Sequence, residues 1–210
     1  MASPLAVYAD MLERPHQLSL ARATDGSAWR PRIERWIGQA DAIDERALAG
    51  LAGPVLDVGC GPGRHVCALA RRGVVALGID VSATAVTIAR AAGARAIVGS
   101  IFGPVPWSGR WESALLLDGN IGIGGRPERL LGRVGELLAP GGQILVELAA
   151  PSRATVRTQI RLETVRAASD WFDWAEVSAA DADRLFGEAG LTVEDRWHDH
   201  DRWFVLATAE

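Results

Sequence analysis

The chain has 210 residues, 49% of them hydrophobic, enough for one ordinary domain with a full core. Its net charge is −4 and every one of the 22 Lys/Arg positions is arginine; that balance disfavours a nucleic-acid partner, since duplex binding needs a basic face. No run approaches the ~18 apolar residues of a membrane span, Asp10 and Glu13 interrupt what would be the apolar stretch of a secretion signal, and two cysteines, Cys60 and Cys67, make neither a disulfide framework nor a metal site. The expectation is a cytoplasmic protein, monomer or homodimer, with a small-molecule partner and no membrane, nucleic-acid or metal partner.

In chain order, Leu5, Tyr8, Ala9 and Leu12 recur at helical spacing and predict a short amphipathic helix within 2–14, stopped by Pro15. Leu18 to Leu20, a turn at Asp25-Gly26, and Trp29 with Ile33 suggest a small hairpin whose second strand is limited by Pro31. From Ile33 to Leu51 the apolar residues again keep helical intervals, divided at Gly38 and ended by Gly53-Pro54. Residues 1–52 therefore read as a helical and hairpin cover, and 53–210 as the main domain.

Val55-Leu56-Asp57-Val58-Gly59-Cys60-Gly61-Pro62-Gly63 describes a buried strand leaving through a glycine loop into a helix over 64–72. Three glycines at alternate positions let the chain approach a ligand closely and predict a cradle of backbone N–H groups at a helix N-terminus. A dinucleotide loop wants G-x-G-x-x-G; Gly59 and Gly61 fit, but the third slot holds Arg64, so the fit to a nicotinamide site is poor. Strands at 74–79, 95–98, 113–117 and 143–148 then alternate with helices at 83–92 and 127–138, which implies right-handed crossovers and a parallel sheet. Asp80 ends the strand at 74–79, where an acid accepts bonds from ribose hydroxyls in doubly wound sheets, while Ser82 is the better helix cap. Phe102 to Gly109 holds too many prolines and glycines for a regular helix. Val156 to Thr164 alternates with period two, as a half-exposed antiparallel strand does, ahead of the aromatic Trp171-Phe172-Asp173-Trp174. A helix over 178–189 and strands at 191–197 and 202–208, with a turn at 198–201, complete the chain; His198 and His200 in that turn read as solvated residues rather than metal ligands.

The D-x-G-x-G-x-G written by Asp57, Gly59, Gly61 and Gly63 resembles motif I of the class I S-adenosylmethionine-dependent methyltransferases, and Leu137-Leu138-Ala139-Pro140-Gly141-Gly142 is like the turn that precedes their fifth strand. The resemblance covers roughly 50–210, and its 117–125 and Trp-rich segments look most like small actinobacterial members. It implies a Rossmann-like α/β fold: a seven-stranded, mostly parallel sheet in the order 3-2-1-4-5-7-6, the last strand antiparallel, with helices on both faces. It implies S-adenosylmethionine held by Gly59, Cys60, Gly61 and Gly63, its amino-acid end oriented by Asp57 through water or the loop backbone, its ribose by Asp80 beside Val81, and its adenine beside Ser100 and Ile101. Many relatives carry an acid where Ser100 stands, so this chain departs from the pattern there. Asp118, Gly119 and Asn120 would face the methyl group, with Asp118 ahead of Glu147 and His16 as a general base. Tyr8, His16, Trp171 and Trp174 are the substrate-side candidates, Tyr8 and His16 from the N-terminal cover and the tryptophans from an insertion that would roof the pocket; core packing is the competing account of the rings. His65 is placed near the cofactor carboxylate. The segment after the fourth strand lacks the [DN]-P-P-[FY] pattern of enzymes that methylate nucleobase amino groups or glutamine amides. Methyl transfer to a small-molecule acceptor is the function implied; a non-catalytic S-adenosylmethionine sensor or auxiliary subunit is the alternative.

Overall fold

The computed structural model describes residues 1–209; Glu210, the end of the expected main domain, lies outside them. Ser3 caps the first helix by accepting the Ala6 N–H at 3.2 Å, and α1 (Pro4–Glu13) buries Val7, Met11 and Leu12. β1 (Ser19–Ala23) and β2 (Ala28–Trp29) form the hairpin, β2 reduced to two residues ahead of Pro31. The helical stretch divides at Gly38 into α2 (Ile33–Ile37) and α3 (Ala42–Ala47). Asp41 and Asp44 start α3 as a reciprocal capping box.

The main sheet contains β3 (Val55–Val58), β4 (Ala76–Asp80), β5 (Ala96–Val98), β6 (Trp111–Leu116) and β7 (Leu138–Leu148), joined by α4 (Arg64–Arg71), α5 (Ala83–Ala91) and α6 (Pro127–Gly135). After β8 (Val156–Thr164), β9 (Phe172–Glu176) and α7 (Ala182–Glu188), the chain returns to it as β10 (Leu191–Asp199) and β11 (Arg202–Ala209). The order is β5-β4-β3-β6-β7-β11-β10. Counted from β3 this is 3-2-1-4-5-7-6; β3 to β7 pair in parallel and β11 runs antiparallel to β7 and β10. Side chains alternate across the sheet. In β6, Ala114 and Leu116 join the apolar cluster that α6 and α7 cover, whereas Leu115, with Leu117 just beyond the strand, joins the cluster under α3, α4 and α5.

Two segments differ from the sequence expectation. The helix from Pro127 ends at Gly135, and β7 begins at Leu138, taking the Ala139-Pro140-Gly141-Gly142 turn into the strand as an irregularity: Trp111 pairs with Leu138 on one side of it and Ser113 with Gln143 on the other. The second concerns the hairpin. The sequence places it apart from the period-two strand at 156–164, but β1 pairs with β8 to make a second, antiparallel sheet, β2-β1-β8-β9. One face carries Ala21, Ala23, Leu162, Ile160, Phe172 and Trp174, since Ala21 stands opposite Leu162, and Ile160 opposite both Ala23 and Phe172.

This small sheet sits directly on the exit of β6, where residues 120–125 make a 3-10 turn. Gly122 is the point of contact: a Cβ there would lie 2.1 Å from the Ala175 carbonyl oxygen and 2.7 Å from the Trp174 ring, so a larger residue would push β9 away. No helix among the described residues is long and apolar enough to cross a membrane.

Candidate active site

β3 ends at Val58, and the loop from Gly59 to α4 passes through Gly61 (φ +52°) and Gly63 (φ +85°). The third glycine serves packing, because a Cβ at Gly63 would stand 2.8 Å from Ala89 Cβ in α5. At Gly61 the only atom among the described residues that such a Cβ would approach is the Tyr8 hydroxyl, at 3.2 Å. The expected cradle of N–H groups needs correction. Gly59 and Cys60 donate to the Ile79 carbonyl, Gly63 donates to the Cys60 carbonyl, and Gly61 donates to Asp80 Oδ2 at 2.9 Å, while Pro62 has no N–H. Residues 59–63 thus leave no free backbone donor for a pyrophosphate, and the N–H groups open at this helix N-terminus are those of the first turn of α4.

Asp80 is the partner that the loop was missing in the sequence. Its Oδ1 accepts the Ser82 N–H at 2.8 Å, and Ser82 caps α5 through Ala85, so Asp80 ties the glycine loop to the start of the next helix. Burial raises its carboxyl pKa, opposed by these two bonds. Both oxygens keep lone pairs for further donors. Asn120, on the 3-10 turn, donates from Nδ2 to the Val58 and Gly59 carbonyls, both at 2.9 Å, and so clamps the exit of β6 to that of β3.

Behind these exits lies a closed ring of charges, with Asp44, Arg64 and Arg202 buried and Asp118 and Glu147 partly buried. Asp44 in α3 accepts from Arg64 Nε at 2.9 Å and from Arg202 Nη1 at 2.7 Å. Arg64 reaches on to Asp118 at 2.8 Å, and Arg202 grips Glu147 through Nε and Nη2 at 2.8 and 2.6 Å. Glu147 then accepts the Asp118 N–H at 2.9 Å, which closes the ring and holds Asp118 at φ +55°. Burial opposes the Asp118 charge, but His65 and Arg64 outweigh it and keep its carboxyl below the usual range. A carboxylate so held accepts protons poorly at neutral pH.

Three of the ring's groups were invisible in the sequence. Asp44 lies in a stretch read only as helical, Arg64 opens a helix and Arg202 starts the last strand; no local signal says that they meet.

Three buried polar atoms near the ring have no hydrogen-bond partner among the described residues: Arg35 Nε, Asp57 Oδ2 and His65 Nε2. His65 lies between carboxylates, Nε2 3.5 Å from Asp44 and Nδ1 3.8 Å from Asp57. Burial pushes the Asp57 carboxyl up to about 6. Because the folded state then holds this proton more tightly than the unfolded one, Asp57 lowers stability as pH rises from about 4 to about 6, and the loss persists above that. Asp57→Asn is expected to unfold in urea with up to about 3 kcal/mol more stability than the parent at pH 8, the gain vanishing toward pH 4. A gain of equal size at both pH values would show that the burial of this charge is not its source.

A cavity of about 1060 Å³ runs from the glycine loop, past the β6 exit, to the small sheet above. Of the residues picked out from sequence, Gly59, Cys60, Gly61, Asp80, Val81, Ser100 and Ile101 line it, as do Asp118, Gly119, Asn120, Tyr8 and Trp174. Asp57 and Gly63 lie behind the loop, outside that lining. His16 is exposed beyond the end of α1, and Trp171 packs under the Arg161 guanidinium at 5.0 Å; the cavity reaches neither. Tyr8 and Trp36 meet edge to face at 6.2 Å on one part of the lining, and Phe172 and Trp174 at 6.3 Å on another. Cys60 is packed against Gly78 in β4, and burial drives its thiol pKa far up, so it is not a nucleophile.

Comparison with known proteins agrees with this architecture. Residues 55–142 match a family model described as a methyltransferase domain. No curated protein matches the sequence. The fold resembles an S-adenosylmethionine-dependent methyltransferase from Bacteroides fragilis in complex with S-adenosylhomocysteine, at a TM-score of 0.80 and 21% identity over 99% of this chain and 95% of that one. It also resembles an amino pentose methyltransferase from Micromonospora echinaspora (TM-score 0.59, 18% identity, 84% and 94% of the two chains). A third is the 1,6-didemethyltoxoflavin N1-methyltransferase of Burkholderia thailandensis (TM-score 0.61, 16% identity, 100% and 91%). Sheet order and matched segment together define the Rossmann-like class I methyltransferase fold.

Proposed function

We propose that the protein is an S-adenosylmethionine-dependent methyltransferase that acts on a small-molecule acceptor. The observation that carries this reading is the Gly61–Asp80 bond at the mouth of a cavity that continues past Asp118 to Asn120 and ends under an aromatic roof. The residues present suit that cofactor. The loop's donors are engaged within the protein, which disfavours a pyrophosphate, while the orphaned Asp57 Oδ2 suits the ammonium of the amino-acid end, through water or the loop backbone. Asp80 would hold the ribose, with Val81, Ser100 and Ile101 on the adenine side. The Bacteroides fragilis relative was solved with S-adenosylhomocysteine, and an amino pentose and 1,6-didemethyltoxoflavin appear in the descriptions of the other two, which supports a small acceptor here.

When bound, S-adenosylmethionine supplies a methyl group already activated by a positive sulfur. The chain's own task is then alignment and exclusion of water. Tyr8 closes over Gly61 from the N-terminal helix, and the β8–β9 roof closes the far end; both parts of the cover are needed for a dry site. Asp118 and Glu147, held in place by Arg64 and Arg202, would orient the acceptor.

Calorimetric titration tests the reading. S-adenosylmethionine and S-adenosylhomocysteine are expected to bind saturably and NAD and NADH not at all; the reverse order of preference would overturn the assignment. Production of S-adenosylhomocysteine only when an acceptor is added would separate an enzyme from a sensor.

A further inference from the structure

The cavity roof has a second aromatic edge besides the Phe172–Trp174 pair. Ala21 in β1 stands opposite both Trp29 in β2 and Leu162 in β8, so Trp29 shares the cavity-facing side of the small sheet. Its ring is 44% exposed, an uncovered aromatic surface at the edge of an apolar wall. Between Trp29 at this edge and Phe172 at the other, the wall is made by Ala21, Ala23, Ile160 and Leu162. Such a surface suits a flat apolar body, since the alanines stand lower than the rings that flank them.

The charges that line the cavity are unevenly satisfied. Deep inside, Asp118 and Glu147 are neutralised by Arg64 and Arg202, His65 lies between Asp44 and Asp57, and Asp80 takes two backbone N–H groups. Further out, Arg153 is paired with Glu176, Asp25 accepts from the Ser27 N–H and hydroxyl at 2.8 and 2.6 Å, and Asp173 accepts from Gln159 at 2.9 Å. Arg32 bonds Asp201 at 3.2 Å, but both side chains are largely exposed and such a pair is worth little. Arg30 is in no ion pair among the described residues. The two outer acids without an ion pair are remote from it. Asp25 lies in the hairpin turn, whereas Arg30 follows Trp29 at the open end, three strand steps or about 10 Å beyond Ser27. Asp173 is on β9, three strands across the sheet from β2, about 14 Å away. A groove of about 400 Å³ continues outward from the cavity through Arg30, Pro31 and Arg32, which line both; its acid, Glu34, does not reach the cavity, and its third arginine, Arg35, is taken by Asp41 and Asp44.

We propose that the acceptor is a flat aromatic carboxylate, its ring on the Ala21–Ala23 wall between Trp29 and Phe172 and its carboxylate on Arg30, with Arg32 free to turn toward it. This rests on the methyltransferase reading above and names a substrate class for the same site. One guanidinium matches one carboxylate through two parallel N–H···O bonds. Trp29 beside Arg30 shields that pair from water on one side, which strengthens it. Arg30 and Arg32 lie where the cavity gives way to the groove, and the groove reaches neither Asp118 nor the glycine loop. The carboxylate is therefore a handle for recognition, and the methyl group goes to another atom of the same molecule.

2-Naphthoate, 2-naphthamide and 2-(aminomethyl)naphthalene share one ring system and differ in charge, and they test the proposal with the full chain. Calorimetry with S-adenosylhomocysteine present is expected to show 2-naphthoate bound at least about fivefold tighter than the amide and tighter still than the amine, the margin shrinking as salt is raised. Arg30→Gln is expected to abolish the preference for naphthoate over the amide, and Arg30→Glu to reverse the order of naphthoate and amine. Trp29→Ala is expected to weaken all three about fivefold, with S-adenosylmethionine affinity unchanged in each variant. Binding of 2-naphthoate no tighter than that of the amide, a preference that survives Arg30→Gln, or parental affinities in Trp29→Ala would overturn the proposal. So would failure of all three compounds to bind while S-adenosylmethionine still titrates. Absence of S-adenosylmethionine binding would instead overturn the function on which it rests.

Discussion

Replacing Asp44 by alanine is expected to lower the unfolding free energy by about 3–5 kcal/mol, measured by urea denaturation at pH 7, because it strands charges that are already out of water. Asp44 is fully buried and touches Arg35, Arg64 and Arg202. Taking it away leaves Arg64 with Asp118 alone and Arg202 with Glu147 alone, each still enclosed by protein. The direction of its pKa supports a strong local field: burial alone would raise it, yet His65 and Arg64 hold it far below the usual carboxylate range. Its stabilisation is therefore present above the ordinary aspartate pKa and is lost as pH falls below it. Asp44→Asn, which keeps the shape and removes the charge, should fall between the alanine variant and the parent. A loss under about 1 kcal/mol for the alanine variant would mean that water replaces the carboxylate at no great cost, and that the ring is not an energetic unit.

Asp80→Ala is expected to weaken S-adenosylmethionine binding by about 1–3 kcal/mol, roughly 5- to 150-fold, in a calorimetric titration. Two effects act together here. The ribose hydroxyls would lose their acceptor, and the Gly61 N–H, with its neighbour at Ser82, would lose the carboxylate that fixes the loop. Thermal unfolding without ligand separates them. A variant that binds weakly and also melts early has lost the loop, whereas one that melts near the parent but binds weakly has lost a ligand contact. Unchanged affinity would remove Asp80 from the ribose site.

What the sequence made legible was local. Alternating apolar runs and helical stretches, the Asp57 to Gly63 loop and the acid at Asp80 each announce themselves within about ten residues, and the sheet order follows from the resemblance they carry. The glycine loop was nevertheless misread in one respect: which N–H groups are free depends on the Ile79 carbonyl and Asp80, both on the neighbouring strand. The charge ring was illegible for a stronger reason, since Asp44 and Arg202 are 158 positions apart and each has a sufficient local explanation. Trp171 and Trp174 looked equivalent by composition, yet strand alternation turns only Trp174 to the cavity, opposite Thr158 in β8, while Trp171 precedes β9 and shields Arg161. His16 had only its residue type to recommend it, and the turn after α1 carries it outward.

The union of β1 with β8 bears on how the molecule is made. Arg22 in the early hairpin and its partner Glu163 are separated by 141 positions, so the first strand to leave the ribosome waits for nearly the last part of the chain before it gains its neighbour. Contacts of such long range form late. Strands β3 to β7 can pair in the meantime from adjoining units, and the small sheet closes once β8 is made, before β10 and β11 complete the main sheet, with an apolar ribbon of β1 exposed until then that a chaperone would be well placed to shield.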